Sequence, residues 1–314
     1  MRLRVTQLRL EADDVVSVVL RSTTGDALPA WEPGAHVAVT LPSGLVRQYS
    51  LCGDPDDRYS YTIAVLLVGD GRGGSREIHE RVRIGEVLEV GEPRNNFSLA
   101  DAPRYLFLAG GVGITPILAM VESILRQSDP RPWRMIYGGR SRSAMAFLGR
   151  LHALDGVDVV AQDEAGLPDI PGALAASAPG TAVYCCGPPA MLAAVEAACE
   201  RHPELTLHLE RFTAAGGEPV ARDDDGAFDV ELARSGVTVT VPADKSVLDA
   251  VLEVNPDVAF SCAAGFCGTC ETKVLSGAVD HRDDLLSADE QQTNATMMIC
   301  VSRSRGGSKL TLDL

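Results

Sequence analysis

Long hydrophobic runs are missing from this 314-residue chain; the longest, such as Tyr61–Val68, fall far short of the ~20 apolar residues a spanning helix needs. The opening residues MRLRVTQLRLEADD have no unbroken apolar core, so no secretory signal is expected and a cytoplasmic, membrane-free protein is predicted. Basic charge is also short: 28 Lys+Arg face 43 Asp+Glu, a net of −15, which excludes nucleic acid as a partner because phosphate contacts need Lys/Arg surfaces. Only three of those cations are lysines, which reflects coding bias rather than function. No His stands two residues after a Cys, as a Rieske centre would require, and no pair of His lies four apart beside a carboxylate. Gly-x-Ser-x-Gly and Walker-type loops are absent too. Oxidation of an organic substrate at an iron centre, nucleophilic hydrolysis and nucleotide hydrolysis are therefore not expected.

What remains is unevenly placed. Residues 223–314 carry 16 Asp+Glu against 7 Lys+Arg, a net of −9, whereas the other residues carry 27 against 21. This acidic last third suits a basic docking partner. Eight cysteines in an intracellular chain do not suggest a disulfide framework. Cys52, Cys185, Cys186 and Cys199 are scattered; Cys262, Cys267, Cys270 and Cys300 are grouped.

The pattern of elements predicts a multidomain α+β and α/β chain. Residues 1–100 read as short alternating strands separated by Gly, Pro and Asp turns, which implies a small antiparallel barrel, with one helix over Ser75–Val82. Residues 101–213 alternate strands (RYLFLAGG, WRMIYGG, VDVVAQ, TAVYCCG, TLHLE) with helices over Ile117–Arg126, Met145–Leu154 and Ala190–Glu200, the signature of a parallel sheet. Residues 214–227 read as a linker, and 228–314 as a third unit with a helix over Val247–Val254.

Cys262-x4-Cys267-x2-Cys270, followed after 29 intervening residues by Cys300, has the plant-type [2Fe–2S] ligand spacing. Structural zinc sites instead pair two short Cys-x2–4-Cys elements. Arg47-Gln48-Tyr49-Ser50 resembles the Arg-x-Tyr-Ser flavin motif of the ferredoxin-reductase superfamily, which implies a guanidinium for the flavin phosphate, an aromatic ring for stacking and a hydroxyl for flavin N5. Gly73-Gly74-Ser75, in the run GRGGS, then opens a helix whose N–H groups suit phosphate. Gly110-Gly111-Val112-Gly113-Ile114-Thr115-Pro116 joins a buried strand to a helix, the setting for a pyrophosphate. Cys186-Gly187-Pro188 joins another strand to a helix. Arg140 and Arg142, after the second parallel strand, leave NADPH open beside NADH.

In the order flavin, nicotinamide, cluster, these motifs resemble the phthalate dioxygenase reductase and vanillate demethylase reductase family of the ferredoxin-reductase superfamily, over essentially the whole chain. The resemblance implies a Greek-key flavin barrel, a nicotinamide domain and a C-terminal β-grasp ferredoxin domain. It implies FMN, which the residues alone do not separate from FAD, and NADH. Ala64 and Val65 would line the flavin with their backbone, Gly111, Gly113, Thr115, Pro116 and Arg140 would hold the dinucleotide, Cys186 would lie near the nicotinamide ring, and Phe212, in Glu210-Arg211-Phe212, would cover the flavin. Ser50, Cys186 and Phe212 are the expected catalytic residues. The function implied is a monomeric NADH-dependent reductase feeding single electrons to a terminal oxygenase, Rieske-type first and cytochrome P450 as the alternative. An electron carrier without nicotinamide activity is opposed by the intact GGVGITP and CCGPPAM.

Overall fold

The computed structural model describes residues 1–69, 73–212, 222, 225–256, 258–260, 263–265, 268–283 and 285–314. The chain divides into two units, Met1–Phe212 and Thr213–Leu314.

The first unit begins with β1 (Arg2–Ala12), β2 (Val15–Ser22), β3 (His36–Thr40), β4 (Val46–Ser50), β5 (Ser60–Leu66), α1 (Gly74–Glu80) and β6 (Val87–Val90). The strands pair antiparallel in the order β4-β3-β6-β1-β2-β5. A bridge between Leu51 and Ile63 joins the end of β4 to β5 and closes the sheet on itself, removing its open edges. Alternation along the strands sends Val5, Val37, Val39, Leu20 and Ile63 into the closed interior.

A parallel sheet follows: β7 (Arg104–Gly110), α2 (Ile114–Leu125), β8 (Trp133–Gly139), α3 (Leu148–Leu151), β9 (Val157–Ala161), α4 (Gln162–Ala165), α5 (Ile170–Ala175), β10 (Thr181–Cys186), α6 (Pro189–Cys199) and β11 (Thr206–Glu210). The order β11-β10-β7-β8-β9 places the first strand, β7, at the centre, so the connections reverse direction between β7 and β10. Ligands of open α/β sheets bind at such a switch point. Tyr184, on β10, accepts from Ala100 N at 2.7 Å and donates to Ser98 O at 3.0 Å. Arg150 pairs with Glu122 of α2 and donates to Cys52 O of the barrel at 3.3 Å. These bonds lock the parallel sheet to the barrel.

The helix expected over Met145–Leu154 is reduced to the single turn of α3. Phe147 takes a left-handed φ of 63° and Met145 an extended backbone, which breaks the helix before Leu148. α5 was not expected from its Pro- and Gly-containing sequence; Asp169 caps it by accepting from Gly172 N at 2.9 Å.

The second unit contains β12 (Phe228–Leu232), β13 (Val237–Val241), α7 (Val247–Leu252), β14 (Glu271–Ser276), β15 (Val279–Asp280), α8 (Ala288–Thr293), β16 (Thr296–Met298), β17 (Arg303–Ser304) and β18 (Leu310–Leu312). The sheet order is β13-β12-β18-β14-β16, with β12 and β18 parallel and the other pairs antiparallel. α7 starts at a capping box between Ser246 and Asp249 and buries Val247, Leu248, Ala250 and Val251 in the core below the sheet. This is the β-grasp arrangement of the expected ferredoxin domain. Among the described residues no helix is long and apolar enough to cross a membrane.

Candidate functional site

On the barrel, β4 carries Arg47, Gln48, Tyr49 and Ser50. Ser50 stands opposite His36 of β3 in register, and both are buried. Neither Ser50 Oγ nor His36 Nε2 has a hydrogen-bond partner. An unmet buried polar atom costs about 1–3 kcal/mol, so the pair marks a place where a polar ligand atom belongs. Burial and the charge of Arg94 push the His36 imidazole down to about 4, so it is neutral at pH 7. Burial raises the Tyr49 phenol, which therefore stays protonated.

α1 opens beside this strand. Gly73 has φ +84°, and a Cβ at Gly74 would fall 2.7 Å from Arg47 Cγ and 2.8 Å from its Nε, so the helix start and the Arg47 side chain are in direct contact. Glu77 fixes the helix by accepting from Ser43 N at 2.8 Å and from Ser43 Oγ, and His79 Nε2 lies 2.9 Å from Val65 O. Ser75 Oγ accepts from Val68 N at 3.1 Å. Arg47, Gly74 and Ser75 are thereby brought together, as a phosphate site needs. Gly71 and Arg72 of the GRGGS run lie outside the described residues.

At the switch point the two glycine turns pack on each other. A Cβ at Gly113 would collide with Cys186 O and come within 2.9 Å of Gly187 N; one at Gly110 would come 2.6 Å from Pro188 Cδ. Only glycine permits this approach, which leaves Gly111 and Gly187 part-exposed at the switch point. Thr115 Oγ1 donates to Val112 O at 3.0 Å and Pro116 sits in the first turn of α2. Arg140 is exposed after β8, and Phe212 is 36% exposed after β11.

Cys186 is fully buried, and burial holds its thiol well above the usual range, so it presents a neutral, poorly hydrated sulfur. Its in-register neighbour on β11 is Glu210, a residue the sequence motif contained but did not single out. Glu210 Oε2 is buried without a partner, and burial lifts the carboxyl to about 8. The alternating β11 sequence Thr-Leu-His-Leu-Glu carries no local signal of that burial.

In the second unit Cys270 and Cys300, separated by 29 intervening residues, are 3% and 2% exposed within one core. Ala263, Gly265 and Gly268 take left-handed φ values of 51°, 78° and 74°, the tight loop that converging thiolates require. Cys262 and Cys267 lie outside the described residues. The remaining thiols are buried or part-buried without disulfides; Cys52 and Cys185 pack in the cores.

A flavin barrel, a dinucleotide cleft at a switch point and a cysteine loop in a β-grasp unit define a flavin- and nicotinamide-dependent iron–sulfur oxidoreductase. The family profile of the 2Fe-2S iron-sulfur cluster binding domain matches residues 230–305, and that of the oxidoreductase NAD-binding domain matches residues 107–197. The chain is 42% identical to phenoxybenzoate dioxygenase subunit beta of Ectopseudomonas oleovorans, over 99% of its own length and 97% of that protein. It resembles the solved structure of phthalate dioxygenase reductase with TM-score 0.74 and 36% identity, covering 100% of this chain and 98% of that one. It also resembles an intact type IV self-sufficient cytochrome P450 monooxygenase with TM-score 0.88 and 43% identity, covering 100% of this chain but 41% of that one. The chain belongs to the family of oxygenase reductases that includes phthalate dioxygenase reductase and vanillate O-demethylase oxidoreductase. The two family profiles bear out the iron–sulfur and nicotinamide motifs: a [2Fe–2S] cluster and a nicotinamide dinucleotide are its cofactors.

Proposed function

We propose that the chain takes a hydride from NADH where the end of β4 faces the β7–β10 switch point, and delivers single electrons to a Rieske-type terminal oxygenase. It does so as a cytoplasmic monomer of four segments: barrel 1–100, nicotinamide domain 101–213, linker 214–227 and ferredoxin domain 228–314. The packing of the Gly113 turn on the Cys186–Gly187 turn carries this reading, because it builds a backbone-lined cleft at the switch point. Bound FMN supplies the conversion of a two-electron donor into single electrons.

The chain's own residues hold and orient. Arg47 and the Gly73–Ser75 turn bind the flavin phosphate, while Gln48, Tyr49 and the backbone of Ala64 and Val65 line the ring. Ser50 Oγ, with no partner of its own, donates to flavin N5. Gly111, Gly113, Thr115 and Pro116 hold the pyrophosphate, Gly187 and Pro188 shape the far wall, and Arg140 meets the adenosine end. Cys186 would back the nicotinamide ring, and Phe212, partly exposed after β11, would cover the flavin face. Cys262, Cys267, Cys270 and Cys300 ligate the cluster.

Glu210 holds a proton beside Cys186. Because its carboxyl sits at about 8 instead of 4.5, the folded chain binds a proton that the unfolded chain has released, so its contribution to stability falls as pH rises from about 4.5 to 8. Glu210→Gln keeps a neutral donor and removes that loss. Its Tm is expected to exceed the parent's by more at pH 8 than at pH 5, each kcal/mol being worth about 2–4 °C for a unit of this size. Equal gains at the two pH values would mean that Glu210 is ionised in the fold.

The net −9 of residues 223–314 supports a basic partner. The likeness to a self-sufficient P450 favours a second reading, in which a P450 receives the electrons. NADH-driven product formation, with a purified Rieske oxygenase or a purified P450 as acceptor, separates them. Turnover with the Rieske protein that falls with salt is the expected result, since exposed charge pairing is screened over about 10 Å at 0.1 M; turnover with the P450 alone overturns the first reading.

A further inference from the structure

Cys186 and Glu210 place the nicotinamide end on the β10–β11 side of the switch point, so the adenosine end reaches the other side, where β8 and β9 finish. Those strand ends are adjacent: Gly139 pairs with Ala161 in register, and Asp163 N donates to Arg140 O at 3.2 Å. Two cations, Arg140 and Arg142, follow β8, and two anions, Asp163 and Glu164, open α4. Arg142 Nε lies 3.1 and 3.0 Å from the two oxygens of Glu164.

This matters because NADH and NADPH differ only at the ribose 2′ position, a hydroxyl in one and a phosphate in the other. Carboxylates at this place accept from the hydroxyl, and a nearby Arg accommodates the phosphate. A phosphate monoester carries about −1.5 to −2 charges at neutral pH. It meets two arginines whose charge is cancelled by two carboxylates, one of them occupying the Arg142 guanidinium.

We propose that Glu164, by engaging Arg142, is the residue that makes this chain select NADH. It acts in two ways: it withdraws the guanidinium from a 2′-phosphate, and it opposes that phosphate with a charge of the same sign. The inference rests on the siting of the dinucleotide given above. The ion pair is half exposed, with side chains 48% and 51% accessible, so it contributes little to stability and is free to serve selection.

The test is Glu164→Gln, alone and combined with Arg142→Met, in the full-length holoprotein. Calorimetric binding of 5′-ADP and 2′,5′-ADP is measured beside kcat/KM for NADH and NADPH. In Glu164→Gln, 2′,5′-ADP is expected to bind about tenfold more tightly, a change of about 1.4 kcal/mol, and the NADPH/NADH ratio of kcat/KM to rise about tenfold. Arg142→Met in that background is expected to erase both gains. Unchanged 2′,5′-ADP affinity with 5′-ADP still bound, or a gain that survives Arg142→Met, overturns the gate alone. Failure of the parent protein to bind 5′-ADP overturns the siting of the nucleotide and the gate with it.

Discussion

Replacing Cys300 by Ala is expected to abolish the [2Fe–2S] absorbance and cytochrome c reduction, while NADH-dependent ferricyanide reduction survives. A [2Fe–2S] cluster of this spacing needs four thiolates, and Cys300 comes from the β16 side of the ferredoxin core, 30 positions beyond Cys270. Methyl cannot replace thiolate as a ligand, so the loss is all or none. Changing Cys185, which fills space in the parallel-sheet core, is expected to leave the cluster spectrum intact. Ferricyanide is small enough to take electrons directly from the flavin, whereas the large acceptor depends on the cluster as the exit. A chain ended after Ala221 keeps the whole Met1–Phe212 unit and should behave as Cys300→Ala does. Iron and acid-labile sulfide analysis of the parent, with both reductase assays on the two variants, checks this. Zinc in place of iron, or undiminished cytochrome c reduction by the shortened chain, would remove the cluster from the electron path.

What was legible in the sequence follows from how local each signal is. WRMIYGG reads as a strand because its apolar run and terminal glycines are self-contained, and β8 occupies those residues. The Met145–Leu154 segment has helical periodicity, but that pattern does not report the left-handed turn at Phe147, which tertiary packing imposes. α8 buries none of its residues, so it offers no apolar period, and its one sequence signal is the Ser287–Glu290 capping box. The site divides in the same way. Glycine turns and cysteine spacing are written along the chain, so the motifs for pyrophosphate and cluster could be found there. His36 and Glu210 gain their character from burial created by distant strands, and no local pattern distinguishes them from solvated polar residues.

Asp225 is the sharpest case, because its surroundings in the sequence, three Asp beside Gly, read as linker. In the structure its carboxylate is 5% exposed and held by Arg282, which also pairs with Asp280 at 2.7 Å. Arg303 Nε lies 3.5 Å from it, Arg222 N donates to it at 2.8 Å, and Arg303 Nη2 donates to Gly226 O at 3.0 Å. Removing one partner of a buried pair leaves the other charge uncompensated and costs about 3–5 kcal/mol, so Asp225→Ala is expected to lower the stability of the ferredoxin unit by that order. Hydrogen bonds from Arg282, and from the Arg222 backbone, hold the Asp225 carboxyl well below its ordinary 3.8. A carboxylate depressed in the fold stabilises it at pH values above the unfolded pKa, and that stability drains away as pH falls through the folded one. The gap between parent and Asp225→Ala should therefore be full at pH 7 and narrow as pH drops below about 4. Urea unfolding followed by far-ultraviolet circular dichroism at both pH values measures it. If Asp225→Ala unfolds within about 0.5 kcal/mol of the parent at pH 7, the range of an ordinary surface substitution, then Asp225 belongs to the linker its composition suggested, and Arg282 is compensated by Asp280 alone.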